Sequence, residues 1–429
     1  MVLVAIGAMT AAVATDVHAH ARERAELMKL RTARQLLATN RFDLAATNYA
    51  TALATQHHTS LVSSIGSTLG QLATADSALA GTNAYASMQG SAITTLQACL
   101  GGVANAYQQI RGNNNNQAAQ DISAVSGPCL SLDGGSTDGL VYPFDFPDPD
   151  IILVGSTYYA YATNSVAGNI QIAESTDLVH WSAVGNALPS LPKWAHPDAT
   201  WAPGVAMIGG NFLLYYAAEV AGPGGGEECI SVASAPQPQG PFIDSSTAPL
   251  ECQPSLGGSI DPFPFIDTNG GIYLLWKSGG SNATDKIWAE QLSANGLTFA
   301  PTTTPVPLMG PDQVWEGGTV EAPDMVTAGG RYFLFFSGND WSSADYAVGV
   351  ATCASPLGPC TDSSTAPLLA SGPGADGPGG ESVFAGTGGT YWIAFHAYIP
   401  GAVGYPNSRD LFVRGMDLSG PTPVVGPPV

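Results

Sequence analysis

The sequence predicts an all-β five-bladed β-propeller preceded by a small α-helical domain, and three observations carry the prediction. A unit made of a polar residue beside Pro or Gly, an apolar run, a Gly turn and an aromatic-led strand occurs five times. Its leading aromatics, Tyr158, Phe212, Tyr273, Tyr332 and Tyr391, lie 54, 61, 59 and 59 residues apart. A repeat of that length carrying several short strands marks one propeller blade per repeat. From Val141 the apolar pattern has period two, as in Tyr158-Tyr159-Ala160-Tyr161 and Tyr332-Phe333-Leu334-Phe335-Phe336, with Gly, Pro, Ser and Asn clusters between runs. Upstream, no proline precedes Pro128 and apolar residues fall at Leu27, Leu30, Leu37 and Leu44, the spacing of helices.

Taken in order, Val2 to Ala14 is a short apolar run with small-residue sites at Ala12-Val13-Ala14 and Val17-His18-Ala19, so residues 1–19 read as a candidate signal peptide, truncated because a basic start is missing. Residues 20–130 read as an α-helical module rich in Ala, Leu, Gln and Arg, with Gly66, Gly70, Gly81 and Gly90 as helix ends or weak points. Residues 131–140, with Gly134-Gly135-Ser136, form a linker, and 141–429 form the propeller. A second echo supports repetition: Val232-Ala233-Ser234 with Asp244 to Leu250 matches Val350-Ala351-Thr352 with Asp362 to Leu368, at an offset of 118 residues, or two blades.

Charge narrows the partners. Residues 1–127 hold seven Lys and Arg against six Asp and Glu, whereas the remainder holds six against 28. A surface so poor in cations repels phosphate backbones and anionic lipid. Nucleic acid is excluded as a partner, strong membrane association is expected only through an N-terminal signal or anchor, and a neutral ligand fits. The six cysteines fall as neighbours in sequence, Cys99 with Cys129, Cys229 with Cys252 and Cys353 with Cys360. Among the 15 pairings open to them, this nearest-neighbour set is the working one, and it suits export to an oxidising compartment.

The blade starts carry the chemistry. Counting back from the leading aromatics, Asp148 precedes Tyr158 by 10 residues, Asp261 precedes Tyr273 by 12 and Glu321 precedes Tyr332 by 11. On that count blades one, three and four each present a carboxylate at one axial height, blade two presents Trp201 and blade five a Gly-rich turn. Several acids around one opening repel each other and are partly desolvated, which raises their pKa values. A carboxyl kept protonated can donate to a leaving oxygen while a better solvated one takes a proton from water, the pair that glycoside hydrolysis uses. Each residue alone also has a plainer reading: Asp-Pro opens turns, and Glu321 could be a solvated strand end. Glu316 and Asp324 compete with Glu321 for the acid role and read better as loop carboxylates.

The stretches Phe146-Pro147-Asp148-Pro149-Asp150-Ile151, Trp201-Ala202-Pro203, Ser259-Ile260-Asp261-Pro262 and Val320-Glu321-Ala322-Pro323 resemble glycoside hydrolase family 43, the five-bladed arabinanases, arabinofuranosidases and xylosidases. The resemblance covers roughly residues 141–420 and leaves out the helical module. It implies an inverting mechanism with Asp148 as general base, Glu321 as general acid and Asp261 orienting the acid and raising its pKa, the base and acid standing roughly 6.5–9.5 Å apart. It also implies that no cofactor is required. Many members hold a central cation with a His after Gly-Pro-Gly, whereas here Gly377-Pro378-Gly379 is followed by Gly380-Glu381. His396 matches a second family histidine, so it is the candidate metal ligand for a structural Ca2+ in the central channel, against the alternative of a hydrogen-bonded core histidine. Arg409 stands where some relatives reach the sugar, against a surface salt bridge.

Aromatic faces pack against sugar C–H surfaces, which makes Trp201 the main platform, with Phe263, Trp194 and Trp315 on adjoining segments. The expected activity is inverting hydrolysis of arabinofuranosyl or xylosyl linkages in an oligo- or polysaccharide, by a secreted or cell-surface enzyme; a non-catalytic, lectin-like propeller is the alternative. No zinc-protease, nucleophile-elbow, phosphate-loop or dinucleotide motif is present.

Overall fold

The computed structural model describes residues 139–429 apart from 166–167, 222–225 and 280–284. The candidate signal peptide, the helical module and the Cys99–Cys129 pair lie outside the described residues. A first short strand, β1 (Leu140–Tyr142), precedes blade I, which comprises β2 (Asp150–Val154), β3 (Thr157–Ala162), β4 (Gln171–Ser175) and β5 (Ser182–Asn186). Blade II has β6 (Ala195–Ile208), β7 (Asn211–Val220) and β8 (Glu228–Ala235). Blade III has β9 (Ser259–Ile266), β10 (Ile272–Ser278), β11 (Lys286–Gln291) and β12 (Val306–Met309), and blade IV has β13 (Val320–Ala328), β14 (Arg331–Gly338), β15 (Ala347–Cys353) and β16 (Cys360–Asp362). Blade V has β17 (Asp376–Ala385), β18 (Tyr391–Tyr398) and β19 (Asp410–Asp417), with β20 (Val424–Pro428) on its outer edge.

All the ladders are antiparallel, and the innermost strands β2, β6, β9, β13 and β17 each touch the next, with β17 meeting β2 to close a ring. The outer edge of β19 is covered by both ends of the domain: Leu140 and Tyr142 of β1 face Phe412 and Leu411, while β20 pairs with Arg414 to Asp417. Leu140, read as the end of a linker, therefore already belongs to the sheet. Such closure hides a strand edge that would otherwise be free to pair with another chain.

Burial explains the apolar runs. The second strand of each blade lies between inner and outer strands and is packed on both faces by neighbouring blades, so Phe212 to Ala218 and Phe333 to Ser337 are buried without alternation. The core is accordingly five separate layers, one between each pair of adjacent blades; Tyr159, Leu214 and Phe242 fill one, and Phe335, Val348 and Phe395 another. The Cys229–Cys252 and Cys353–Cys360 pairings are both formed. They tie down the equivalent outer segments of blades II and IV, the two that share the 118-residue echo.

One feature of the inner strands positions the site. In blades II to V the ladder slips between Trp201 and Gly204, Ile260 and Phe263, Glu321 and Asp324, and Gly379 and Ser382. At each slip, and just ahead of β2, one residue has positive φ: Asp148 (+54°), Ala202 (+43°), Asp261 (+54°), Ala322 (+50°) and Gly380 (+55°). Bulges of this kind bend the strand and re-aim side chains. A non-glycine residue held there costs of order 1–3 kcal/mol, a cost typical of functional sites. Gly380 is required for space as well, because a Cβ there would lie 2.6 Å from the His396 ring.

This register corrects the counting argument. The residue equivalent to Asp148 and Asp261 in blade IV is Ala322; Glu321 stands one place earlier, where blade II has Trp201. Counting from the leading aromatics misaligns the blades because the turn after each inner strand varies in length, as between Ile266 and Ile272 in blade III.

Candidate active site

The bulges open into a cavity of about 720 Å³ at the axis, lined by residues of all five blades, among them Asp148, Trp201, Asp261, Glu321 and Gly380. The structure thus brings the three predicted carboxylates together.

Asp148 is fixed from three sides. Thr163, just beyond the end of β3, donates from Oγ1 to Asp148 Oδ2 at 2.6 Å and accepts the Ala202 backbone N–H at 2.8 Å, so one hydroxyl ties the carboxylate to blade II. Arg409 Nη1 lies 3.4 Å from Asp148 Oδ1, and the Asp148 backbone N–H donates to His396 Nδ1 at 3.0 Å. Arg409 is itself held by stacking, its guanidinium 4.6 Å from the centre of the Trp341 ring.

Glu321 is held differently. Lys277 donates from Nζ to Glu321 Oε2 at 2.8 Å and Tyr346 donates from its hydroxyl to Oε1 at 2.7 Å. Asp261 Oδ2 accepts the Ala322 backbone N–H at 2.9 Å. Desolvation, then the Glu321 charge, pushes Asp261 up to about 7, with Lys277 opposing. Burial disfavours the charge on Lys277, yet Glu321, Asp285 and Asp261 together hold its pKa above the ordinary lysine value. Asp285 stands 3.6 Å from Lys277 Nζ and accepts the Val320 N–H at 3.1 Å, anchoring the start of β13 next to Glu321.

The carboxylates thus stand in contrasting surroundings. Asp148 sits among neutral hydroxyl and imidazole groups and a stacked guanidinium; Glu321 and Asp261 share one buried cation. Such a division suits one group that accepts a proton and a pair that retains one.

Of the expected sugar contacts, Trp201, Phe263 and Arg409 line the cavity. Trp194 and Trp315 are placed elsewhere. Trp194 packs on the layer between blades I and II and donates from Nε1 to Ser246 Oγ at 2.9 Å, while Trp315 stacks on Phe336 with ring centres 5.8 Å apart. Both were expected from nearness in sequence to blade starts, but each ring faces an interblade layer. Trp341 and Tyr405 take the rim instead, the latter 84 % exposed. The competing acids have structural partners: Glu316 is buried and accepts the Asp312 and Gln313 N–H groups, and Asp324 accepts the Val383 N–H at 2.7 Å, joining blades IV and V.

Thr163, Lys277, Trp341, Tyr346 and Tyr405 also line the cavity and are not among the candidates the sequence offers. Lys277 did leave a signal, since a cation following Leu274-Leu275-Trp276 in a strand buried on both faces needs buried partners. Thr163 and the loop aromatics left none.

The axial calcium that the family resemblance implies can be tested on His396. Its Nδ1 accepts the Asp148 N–H, which leaves the ring proton of neutral imidazole on Nε2, a buried atom with no hydrogen-bond partner. Burial, then the Arg409 charge, holds the ring well below its ordinary pKa. A metal-bound histidine normally donates through its second nitrogen; here that nitrogen accepts. The same Nδ1 lies 3.3 Å from Asp148 Oδ1, so the ring backs both the backbone and the carboxylate of Asp148.

Residues 140–420 match the model of glycosyl hydrolases family 43. The chain is 28 % identical over 293 residues to the probable arabinan endo-1,5-α-L-arabinosidase A of Aspergillus flavus, covering 62 % of this chain and 85 % of the relative. A thermostable family-43 glycoside hydrolase of solved structure superposes with a TM-score of 0.60 at 27 % identity, covering 68 % of this chain and 95 % of the other. The endo-1,4-β-xylanase of Bacteroides thetaiotaomicron superposes with a TM-score of 0.57 at 26 % identity, covering 68 % and 99 %.

Proposed function

The chain belongs to glycosyl hydrolase family 43 and is a glycoside hydrolase, and from that premise we propose that it cleaves arabinofuranosyl or xylosyl linkages with inversion, using Asp148 as base and Glu321 as acid. The observation that carries the reading is the contrast between the two carboxylates in one cavity: Asp148 held by Thr163 and Arg409, Glu321 held with Asp261 around Lys277. The names of the relatives, an arabinan-cleaving enzyme and a xylan-cleaving one, support a pentose substrate.

In the proposed step a water beside Asp148 gives its proton to the carboxylate as its oxygen bonds to the anomeric carbon. The glycosidic bond breaks on the opposite face, and its electrons go to the leaving oxygen, which takes a proton from Glu321. Asp261, pushed up to about 7 by burial and then by the Glu321 charge, lies beside the acid around the same cation and accepts the N–H of Ala322, the residue that follows the acid. Trp201 and Phe263 supply faces for the sugar, and Arg409 and Trp341 close the side next to Asp148. The two disulfides suit action outside the cytoplasm.

The test is Glu321→Gln assayed on two leaving groups. Removing a general acid costs roughly 10²–10⁴-fold on a sugar leaving group, while a 4-nitrophenyl glycoside, whose phenolate departs without a proton, loses far less. Equal losses on both substrates would remove Glu321 from the acid role.

A further inference from the structure

Away from the cavity, at the outer edge of blade IV, three carboxylates converge. Asp312, Glu316 and Asp362 each offer an oxygen within 4.8 Å of the others. Glu316 is fully buried; its Oε2 accepts the Asp312 N–H at 2.6 Å and the Gln313 N–H at 2.8 Å, and its Oε1 has no partner. Both carboxylate oxygens of Asp362 are buried without a donor. No Lys, Arg or His forms an ion pair with any of the three among the described residues.

The repeat supplies an internal comparison. Asp244 occupies in blade II the place of Asp362 in blade IV, and it is fully supplied with donors: the Tyr216 hydroxyl at 2.7 Å, the Ser231 hydroxyl and the Ser246 N–H at 2.7 Å. Tyr216 and Ser231 face each other across β7 and β8; the pair facing each other at the matching place across β14 and β15 is Phe336 and Gly349. Blade IV thus has neither hydroxyl and has Asp312 and Glu316 beside Asp362 instead.

We propose that Asp312, Glu316 and Asp362 bind a hard divalent cation, Ca2+ in particular, which pins the outermost strand of blade IV to the segment leading into Glu321. All three donors are carboxylate oxygens, the ligands of calcium and magnesium and not of softer metals. Magnesium demands near-ideal octahedral geometry and keeps several waters, whereas calcium accepts an irregular set of carboxylates, so calcium is the ion to test. The Glu316 carbonyl accepts the Thr319 and Asn339 N–H groups at 3.0 and 2.7 Å, which connects the cluster to the Gly317-Gly318 turn before Glu321.

The full chain, stripped with EDTA and exchanged into chelator-free buffer, would be titrated calorimetrically with CaCl2 and melted with and without it, beside Asp312→Asn and the Asp312→Asn/Asp362→Asn double variant. We expect about one Ca2+ per chain, a midpoint raised by about 5 °C at saturation, at least tenfold weaker binding in Asp312→Asn and none in the double variant. The double variant, relieved of repulsion, should melt without calcium no lower than the wild type. Absence of binding to the wild type would mean that the carboxyls share protons instead, and equal binding to both variants would place the ion elsewhere; either result overturns the site.

Discussion

Lys277 presents one buried ammonium to three carboxyls, those of Glu321, Asp285 and Asp261. Its Nζ lies 2.8 Å from Glu321 and 3.6 Å from Asp285, and at an effective dielectric of about 20 these contacts amount to about 6 and about 5 kcal/mol of attraction. Desolvation of the charged groups offsets most of that, but removing only the cation leaves the anions buried, a change that typically costs 3–5 kcal/mol. Lys277→Met keeps the apolar stem and should destabilise the domain by about 3–5 kcal/mol at pH 8. The sign of the pH dependence follows from Asp261, already pushed up to about 7 and lowered only by Lys277 among its charged neighbours. In the variant its folded pKa rises further above the unfolded value, so the native state holds protons that the unfolded chain releases. The loss should therefore be level up to about pH 6 and grow as pH rises through about 7, and be about 1 kcal/mol smaller at pH 5 than at pH 8. Guanidinium unfolding at pH 5 and pH 8 measures it; a loss under about 1 kcal/mol at pH 8, or an equal loss at both, would refute the shared-cation account.

Thr163→Val is nearly isosteric and removes a hydroxyl that both donates to Asp148 and accepts the Ala202 N–H. A hydrogen bond to a charged group is worth about 1.5–3 kcal/mol, so kcat/KM should fall by roughly 10–150-fold, mostly in kcat; a change confined to KM would place Thr163 in binding instead. Stability of the whole domain should decline with alkalinity. Burial pushes Asp150 and Asp261 up to about 7 and Glu381 to about 8, so between about pH 4 and 8 the native state binds more protons than the unfolded chain and stability falls as pH rises. Calorimetry should give a lower melting midpoint at pH 8.5 than at pH 5, and an equal or higher one would contradict the assignment of these groups as buried acids.

Much of the architecture could be read before any coordinates. Five aromatic-led strands, two local cysteine pairs and the 118-residue echo are local or periodic signals, and each reappears as a second strand, a disulfide or an equivalent outer segment. What escaped depends on three-dimensional register. Glu321 and Ala322 differ by one step along a bulged strand, and only the backbone shows that Ala322 is the residue at positive φ. Closure of blade V by β1 joins residues some 270 positions apart, a pairing without a local pattern. Trp194 and Trp315 resemble Trp341 in composition and setting, but the first two rings pack between blades and the third supports Arg409 over the cavity. His396 meets the Asp148 backbone N–H across 248 positions of sequence, a contact that no local pattern announces.

The most direct test of the central claim is the stereochemistry of the first product. Arabinan and xylan oligosaccharides hydrolysed in an NMR tube report the anomer released before mutarotation. If Asp148 directs water onto the face opposite the leaving group while Glu321 protonates the departing oxygen, the new sugar appears first with inverted configuration. Initial release of the retained anomer would require a covalent intermediate and contradict the assignment of both residues.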